Sequence, residues 1–364
     1  MIHFVVNRAG AFLIDDFIEL HAPSLAPHVT SLPYEDLPAR TSLSSGTYVF
    51  TALDQLTVSG MRLVRELVAQ LRDSSGSRVL NDPDRVLLRF ELLSALHRAG
   101  LNSHGVAHAT DPAPNVIFPV FVREESQHHG AITPLLRNRR ELQRALGRSV
   151  LRGYRLSELL IVEYCETGDP SGRYHRYSAF IVGDRVIGRE LMVGDGWMLK
   201  SHGNAPTFAE VASEHAYVIG NEHEAQLAPI FALAGIEYGR IDYAVVDGRI
   251  ETWEINTNPT IRRGRQTDPV PIPDEINRLR DPMRAHFTAS FVEAILALDS
   301  ESVVRQIDVR YSADALRRAN PMVRDDGMTW IRSVARVVTP LVPTLNRAID
   351  LIAPVLGRVA SRLR

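Results

Sequence analysis

Only one cysteine, Cys165, occurs in 364 residues. An intrachain disulfide is therefore excluded, and with it the usual sign of an oxidising compartment. No apolar run approaches the length of a membrane span, and the opening MIHFVVNRAG reads as a first strand because it lacks the long apolar core of a signal peptide. Neither sign of charge is in excess: 41 basic and 43 acidic residues leave a formal charge of -2. No global field draws such a chain to nucleic acid, so any anion it binds must be met locally. The 13 histidines include no HExxH pair and no zinc spacing, and no GxSxG elbow is present. Internal repeats and low-complexity tracts are missing too. These absences leave a soluble, cytoplasmic globular protein as the expectation.

What is present is ordinary globular material, 45% hydrophobic and 23% charged, and long enough for two or three packed units. Short apolar runs alternate with helical patterns through the first hundred residues: HFVV, AFLIDDFIEL, TYVFTAL, LTVSGMRLVRELVAQL, RVLND and a helix from Leu87 to His97. This is the texture of an open, mostly parallel sheet. An α+β portion follows: the strand in VIFPVFVREESQHHGA, a helix near Glu141 to Leu146, the strand ELLIVEYC, and two strands turned at Gly183-Asp184. Helices are then expected from Phe208 to Ala234 and from Asp274 to Leu298, on either side of a hairpin at 238–256. The stretch beyond Met328 is basic and broken by Pro340, Pro343 and Pro354, which suits helices packed on the body or on a second copy in a homodimer. The alternative is a basic amphipathic membrane anchor. The expected divisions are 1–110, 111–165, 166–310 and a tail at 311–364.

The hairpin DYAVVDGRIETWEINTNP carries the chemistry. Buried carboxylates are costly unless a positive charge joins them, so Asp242, Glu254 and Asn256 ask for a cation. A two-residue turn at Asp247-Gly248 would set Asp242 opposite Trp253 and send Glu254 to the other face. A three-residue loop, Asp247-Gly248-Arg249, pairs Val246 with Ile250, Tyr243 with Trp253 and Asp242 with Glu254, and is the register expected here. Two carboxylates and an amide oxygen suit Mg²⁺, which keeps positions open for water and phosphate. A solvated hairpin with its acids outward is the bland alternative.

With these residues in view, the chain resembles the ATP-grasp superfamily of carboxylate-amine and carboxylate-thiol ligases over residues 78 to 300. The resemblance implies an ATP-grasp fold, α/β and α+β: a Rossmann-like N-terminal (pre-ATP-grasp) subdomain, then two α+β subdomains clasping ATP. It implies Asp242, Glu254 and Asn256 as ligands of Mg²⁺, with Mn²⁺ able to replace it. It places adenine on backbone groups of Glu163 and Cys165, and ribose on Glu166 or Asp169. Arg123 stands where the family usually has a phosphate-binding lysine, and the loop after it has one glycine, Gly130, where several are usual. Arginine keeps the charge and adds a bidentate fork. Arg176 and Lys200 are the further phosphate-facing cations, and with Arg240 the catalytic candidates. The loop TIRRGRQTDP offers Arg262 and Arg263, with Asn258 before them, for the anionic part of a second substrate. Asn7, at the end of the first strand, is a further candidate for that pocket.

The implied reaction joins a small-molecule carboxylate to an amine: ATP phosphorylates the carboxylate, the amine displaces phosphate, and ADP is released. The protein's part is positioning and charge neutralisation, with no obligatory nucleophile. Two other readings stay open, a small-molecule kinase on the same scaffold and a nucleotide-binding protein without turnover. The identity of the acid and the amine is not legible.

Overall fold

A computed structural model describes residues 1–74, 76–128, 130–199, 206–262, 272–299 and 304–324. Two compact units result. One joins Met1–Leu88 to Thr167–Arg324, and the described part of the other is Arg89–Glu166.

The larger unit begins with a four-stranded parallel sheet in the order β2-β1-β4-β5, formed by β1 (Ile2–Val6), β2 (Val29–Pro33), β4 (Thr47–Phe50) and β5 (Arg78–Leu80). Strand alternation sorts its side chains. Val5, Tyr48 and Phe50 meet α2 (Val58–Asp73), whose Leu63, Leu67 and Leu71 recur every four residues, and Thr57 caps that helix by accepting from the Gly60 N–H at 2.9 Å. The opposite face, with Ile2, Phe4, Val49 and Leu80, packs on α1 (Phe12–His21) and on Phe180, Phe287 and Phe291 from the distant half of the chain.

That shared core is why the expected break after residue 110 is not where the chain divides. Residues 1–88 bury their second apolar face against the segment beyond 167, whereas α3 (Arg89–Arg98) packs with the smaller unit. The expected tail boundary at 311 moves as well. β13 (Gln306–Asp308) pairs with β3 (Ser42–Ser44), and α8 (Ala313–Arg318) lies on α2 with Asp314 2.7 Å from Arg62. The remainder of the tail, 325–364, lies outside the described residues, as does its predicted role in a dimer or at a membrane. Among the described residues no helix is long and apolar enough to cross a membrane.

The smaller unit has an antiparallel sheet, β6-β8-β7, of β6 (Val106–His108), β7 (Val120–Glu124) and β8 (Leu159–Glu163). α4 (Arg139–Leu151) is capped by Asn138 and contributes Leu142 and Leu146 to a core with Val120, Val122, Leu159 and Ile161.

The second sheet of the larger unit runs β10-β9-β11-β12, all antiparallel, from β9 (Tyr174–Val182), β10 (Arg185–Gly194), β11 (Tyr238–Val246) and β12 (Arg249–Asn256). The single helix expected over 208–234 is two, α5 (Phe208–Gly220) and α6 (Glu224–Ala234). Asn221 ends the first in a left-handed conformation at φ 46°, which asparagine tolerates at a helix end. α7 (Asp274–Leu296) completes the unit. One side chain ties the two sheets together. Buried Asn81 donates to the Phe50 and Tyr238 carbonyls at 2.9 and 2.7 Å, and accepts from the Glu237 and Tyr238 N–H groups at 2.8 and 3.0 Å.

Candidate functional site

The acids of the β11–β12 hairpin do meet, but by a different route from the one expected. The turn is the two-residue one, Asp247-Gly248, with φ of 50° and 76°, so Val246 pairs with Arg249 and Tyr243 with Thr252. Asp-Gly is the pair that accepts two positive φ angles in a tight turn whose twist matches the strands. The register then slips by one at a β-bulge beside Asp242, where Trp253 is the extra residue. Beyond it Asp242 stands opposite Glu254, Ile241 opposite Ile255 and Arg240 opposite Asn256. The expected pairs Tyr243–Trp253 and Val246–Ile250 do not form.

Across the whole sheet one row reads Glu190, Ser178, Asp242, Glu254, and the next includes Phe180, Arg240 and Asn256. Asp242, only 6% exposed, is clamped by Arg240, whose Nε donates to Oδ1 at 2.9 Å and Nη2 to Oδ2 at 3.2 Å. Arg176 stands 3.9 Å from Asp242 and 3.6 Å from Glu190. Burial alone would raise the Glu190 pKa, but the guanidiniums of Arg189, Arg176, Arg280 and Arg240 bring it down to about 2. Burial likewise works against a charged Arg240, and Asp242, Glu190 and Glu254 reverse that, raising its pKa. Glu214 pairs with Arg280 at 3.0 Å, yet burial dominates and raises the Glu214 pKa. The face is thus a tight alternation of acids and arginines rather than a bare acidic patch.

The donor set fits a hard cation. Asp242 accepts one hydrogen bond from Arg240 at each oxygen, which leaves each a second lone pair. Asn256 Oδ1 accepts from the Asn258 N–H at 2.8 Å, which fixes the amide with its oxygen oriented. Asn258 Nδ2 in turn reaches the Gly10 carbonyl at 3.4 Å, beside Asn7. On the reverse of the sheet Tyr243 bonds to His223 Nδ1 at 2.8 Å and to Tyr217 at 3.0 Å, a buried cluster that backs the bulge.

Other candidates find different employment. Asp169 Oδ1 accepts from Ser171 and from the Arg173 N–H, and its Oδ2 meets His175 at 3.1 Å, so its carboxylate closes the 169–173 turn rather than presenting itself for ribose. Glu163 gives its N–H to the Gly105 carbonyl and takes the Gly105 and Ile117 N–H groups on its carboxylate at 2.7 and 2.6 Å. These bonds engage its N–H and its carboxylate within the smaller unit. Cys165, expected inside an apolar strand, follows the end of β8 and is half-buried, with the Ser103 hydroxyl 3.3 Å from its sulfur. Glu166 is exposed. Arg123 is buried on β7, opposite Leu160. Arg262 lies on the larger unit, 3.4 Å from the Thr288 hydroxyl. Lys200 and Arg263 lie outside the described residues.

Three participants had no clear signal in the sequence. Arg189 and Glu190 enter the cluster because a bulge at Gly188–Glu190 shifts the alternation of β10. Arg89 holds the loop after β7, donating to the carbonyls of Glu124 at 3.1 Å, Gln127 at 2.9 Å and Glu125, with His128 Nδ1 at 3.2 Å. Nothing in the spacing of RFELLSAL marks that arginine.

The sequence matches no family model and no curated protein. In solved structures the chain is similar to D-alanine–D-alanine ligase from Bacillus anthracis complexed with ATP, at 12% identity and a TM-score of 0.45, covering 82% of this chain and 97% of that one. It is similar to the ATP-grasp ligase PsnB complexed with a minimal precursor, at 15% identity and a TM-score of 0.45, covering 82% and 99%. It is also similar to a RimK domain ATP-grasp protein from Sphaerobacter thermophilus, at 12% identity and a TM-score of 0.39, covering 80% and 99%.

Proposed function

We propose that this protein is an ATP- and Mg²⁺-dependent ligase that activates a carboxylate as its acyl phosphate and joins it to an amine, releasing ADP and phosphate. The observation that carries the reading is the opposition of Asp242 and Glu254 on one face, with Asn256 in the next row and Arg240 and Arg176 against Asp242. Asp242, Glu254 and Asn256 would hold Mg²⁺, or Mn²⁺ in its place, and the ion would neutralise phosphate oxygens when bound. Arg176, Arg240 and Lys200 meet the charge of the transferring phosphoryl group, and Asn258 and Arg262 face the second substrate. In the smaller unit Arg123, Cys165 and Glu166 are the proposed nucleotide contacts. The backbone carbonyl of Glu163 is a further proposed nucleotide contact, its N–H and carboxylate being engaged within the smaller unit.

Charge bookkeeping supports nucleotide and metal arriving together. Asp242, Glu254 and Glu190 are balanced by Arg176, Arg189 and Arg240, so a lone divalent ion would add uncompensated charge to a neutral cluster. ATP brings the missing negative charge.

Thermal melting tests this directly. With Mg²⁺ and ATP at about 100 times Kd the native state should gain about 2.7 kcal/mol. Mg²⁺ alone should give little, and Glu254→Gln should lose the Mg²⁺-dependent part. A wild-type melting point indifferent to Mg²⁺-ATP would sink the proposal. Where binding is present, ADP release that requires both an acid and an amine marks the ligase. A phosphorylated product formed without amine marks a kinase instead, and binding without ADP formation marks a protein that does not turn over.

A further inference from the structure

Thr47, Thr51 and Ser149 show what a buried hydroxyl does in this chain: each donates to a backbone carbonyl, of Leu298, Val5 and Ala145, at 2.6, 3.0 and 3.0 Å. Ser178 departs from that pattern. It is 2% exposed, and its Oγ is buried with no hydrogen-bond partner among the described residues. An unpaired buried hydroxyl destabilises the fold that holds it, so its position asks for a reason.

Ser178 lies on β9 within the row of acids, directly across from Glu190 on β10 and from Asp242 on β11. Residues so opposed share a face of the sheet with Cβ atoms about 4.5–5.5 Å apart, within which a serine hydroxyl can meet a carboxylate. Glu190 is held ionised by the guanidiniums around it. Asp242 has one hydrogen bond from Arg240 at each oxygen and a second lone pair on each, and Arg176, at 3.9 Å, stands beyond hydrogen-bond reach of it. The Ser178 O–H is therefore an unspent neutral donor beside a carboxylate that can still accept.

The backbone at this point is fixed. The Ser178 carbonyl accepts from the Tyr217 hydroxyl at 2.8 Å, and the Ala179 and Phe180 that follow are fully buried. What remains to the side chain is rotation about χ1 between staggered positions. Charge decides what that rotation is for. A divalent cation on Asp242 repels the Arg240 guanidinium that shares the carboxylate, whereas a hydroxyl carries no net charge and is compatible with the ion. Groups that hydrogen-bond a ligating carboxylate from outside the coordination sphere fix its orientation.

We propose that Ser178 is a positioning residue for Asp242: its hydroxyl turns toward β11 and donates to the Asp242 carboxylate as the guanidinium of Arg240 loosens, and so keeps the carboxylate oriented toward a divalent cation. The identity of that cation, Mg²⁺ arriving with ATP, rests on the ligase reading above.

The test pairs two readouts on the full chain: thermal melting without ligand, and Mn²⁺ binding in the presence of ATP followed by electron paramagnetic resonance, Mn²⁺ standing for Mg²⁺. Ser178→Ala should keep or raise the ligand-free melting point, because it removes an unpaired buried hydroxyl. It should nevertheless bind Mn²⁺ with ATP about 10- to 100-fold more weakly, the loss seen when such outer partners of metal ligands are removed. Ser178→Thr, which restores the hydroxyl on a side chain suited to a strand, should recover most of that affinity. Wild-type affinity in the alanine variant overturns the proposal. So does weaker binding accompanied by a lower melting point, which marks a packing role, or a threonine variant that melts like the wild type and binds like alanine. The wild-type measurement separates the two ideas: a wild type that binds no Mn²⁺ with ATP removes the ligase reading and this role with it, whereas a wild type and an alanine variant that bind equally well remove this role alone.

Discussion

At the scale of single residues, amides and guanidiniums do the structural work that makes a charged sheet face tolerable. Asn81 is the sharpest instance, because its buried amide makes four hydrogen bonds to backbone groups at the ends of two sheets, from a left-handed position at φ 56°. Removing it would leave two carbonyls and two N–H groups without that partner in a place water reaches poorly. Asn81→Ala is expected to cost about 2–4 kcal/mol, since each stranded buried group costs about 1–3 kcal/mol before relaxation. Denaturant unfolding measures it, and a loss below about 1 kcal/mol would mean the two sheets are not held through this side chain. Asp242 shows the same economy: Arg240 satisfies both its oxygens, so the carboxylate can be almost fully buried. The sequence displayed Asp242, Glu254 and Asn256 by type and spacing. It did not display Asn81 as a staple, because an asparagine in a turn and one in a core are written alike.

At the scale of elements, the hairpin shows how a correct outcome was reached through an incorrect step. Asp242 and Glu254 were expected to oppose each other, and they do, but the expectation spread one register from the turn to the two acids. The chain instead uses the turn that Asp-Gly favours and corrects the register with a bulge at Trp253. Alternation can be read from a sequence, whereas a bulge is a compromise between turn chemistry and the cluster of Tyr243, Tyr217 and His223 packed behind it. The same limit hid Arg189 and Glu190, which also lie at a bulge. The turn gives a clean test. Gly248 has no heavy atom within 4 Å of where a Cβ would stand, so Gly248→Ala meets no clash and its cost is purely that of a positive φ. About 1–2 kcal/mol should be lost for that left-handed position, with the Mg²⁺-ATP response unchanged because the register is set again at the bulge. Unchanged stability in the alanine variant would argue for a wider loop and against this turn.

At the scale of the whole molecule, titration links the parts. His3, on the central strand of the first sheet, is stacked on Tyr48 at 4.6 Å, and its Nε2 is buried without a partner among the described residues. Burial, then the nearby N-terminal amine, lower its pKa from 6.5 to about 4, against a smaller opposing pull from Asp299. Burial also lowers the pKa of His223 behind the β11–β12 hairpin. Both histidines are neutral when folded and charge more readily when unfolded. The stability they lend is present above pH 6.5 and is lost as pH falls toward 4, by about 3 kcal/mol for His3. A second loss follows below pH 4.5, as Glu190 is protonated on the way down to its pKa of about 2, and Asp299 and Glu210, also lowered, act in the same direction. Glu214 has the opposite sign: its raised pKa gives a contribution that is full below pH 4.5 and fades as pH rises. A melting curve against pH should therefore be flat above about 6.5 and then fall in two stages. His3→Phe keeps the stack on Tyr48 and removes the proton site, so it should abolish most of the first stage and leave the second intact. If the variant falls as steeply as the wild type between pH 6.5 and 4, the neutral buried histidine is not what makes this protein acid-sensitive there, and the carboxylates of the arginine cluster must govern the whole decline.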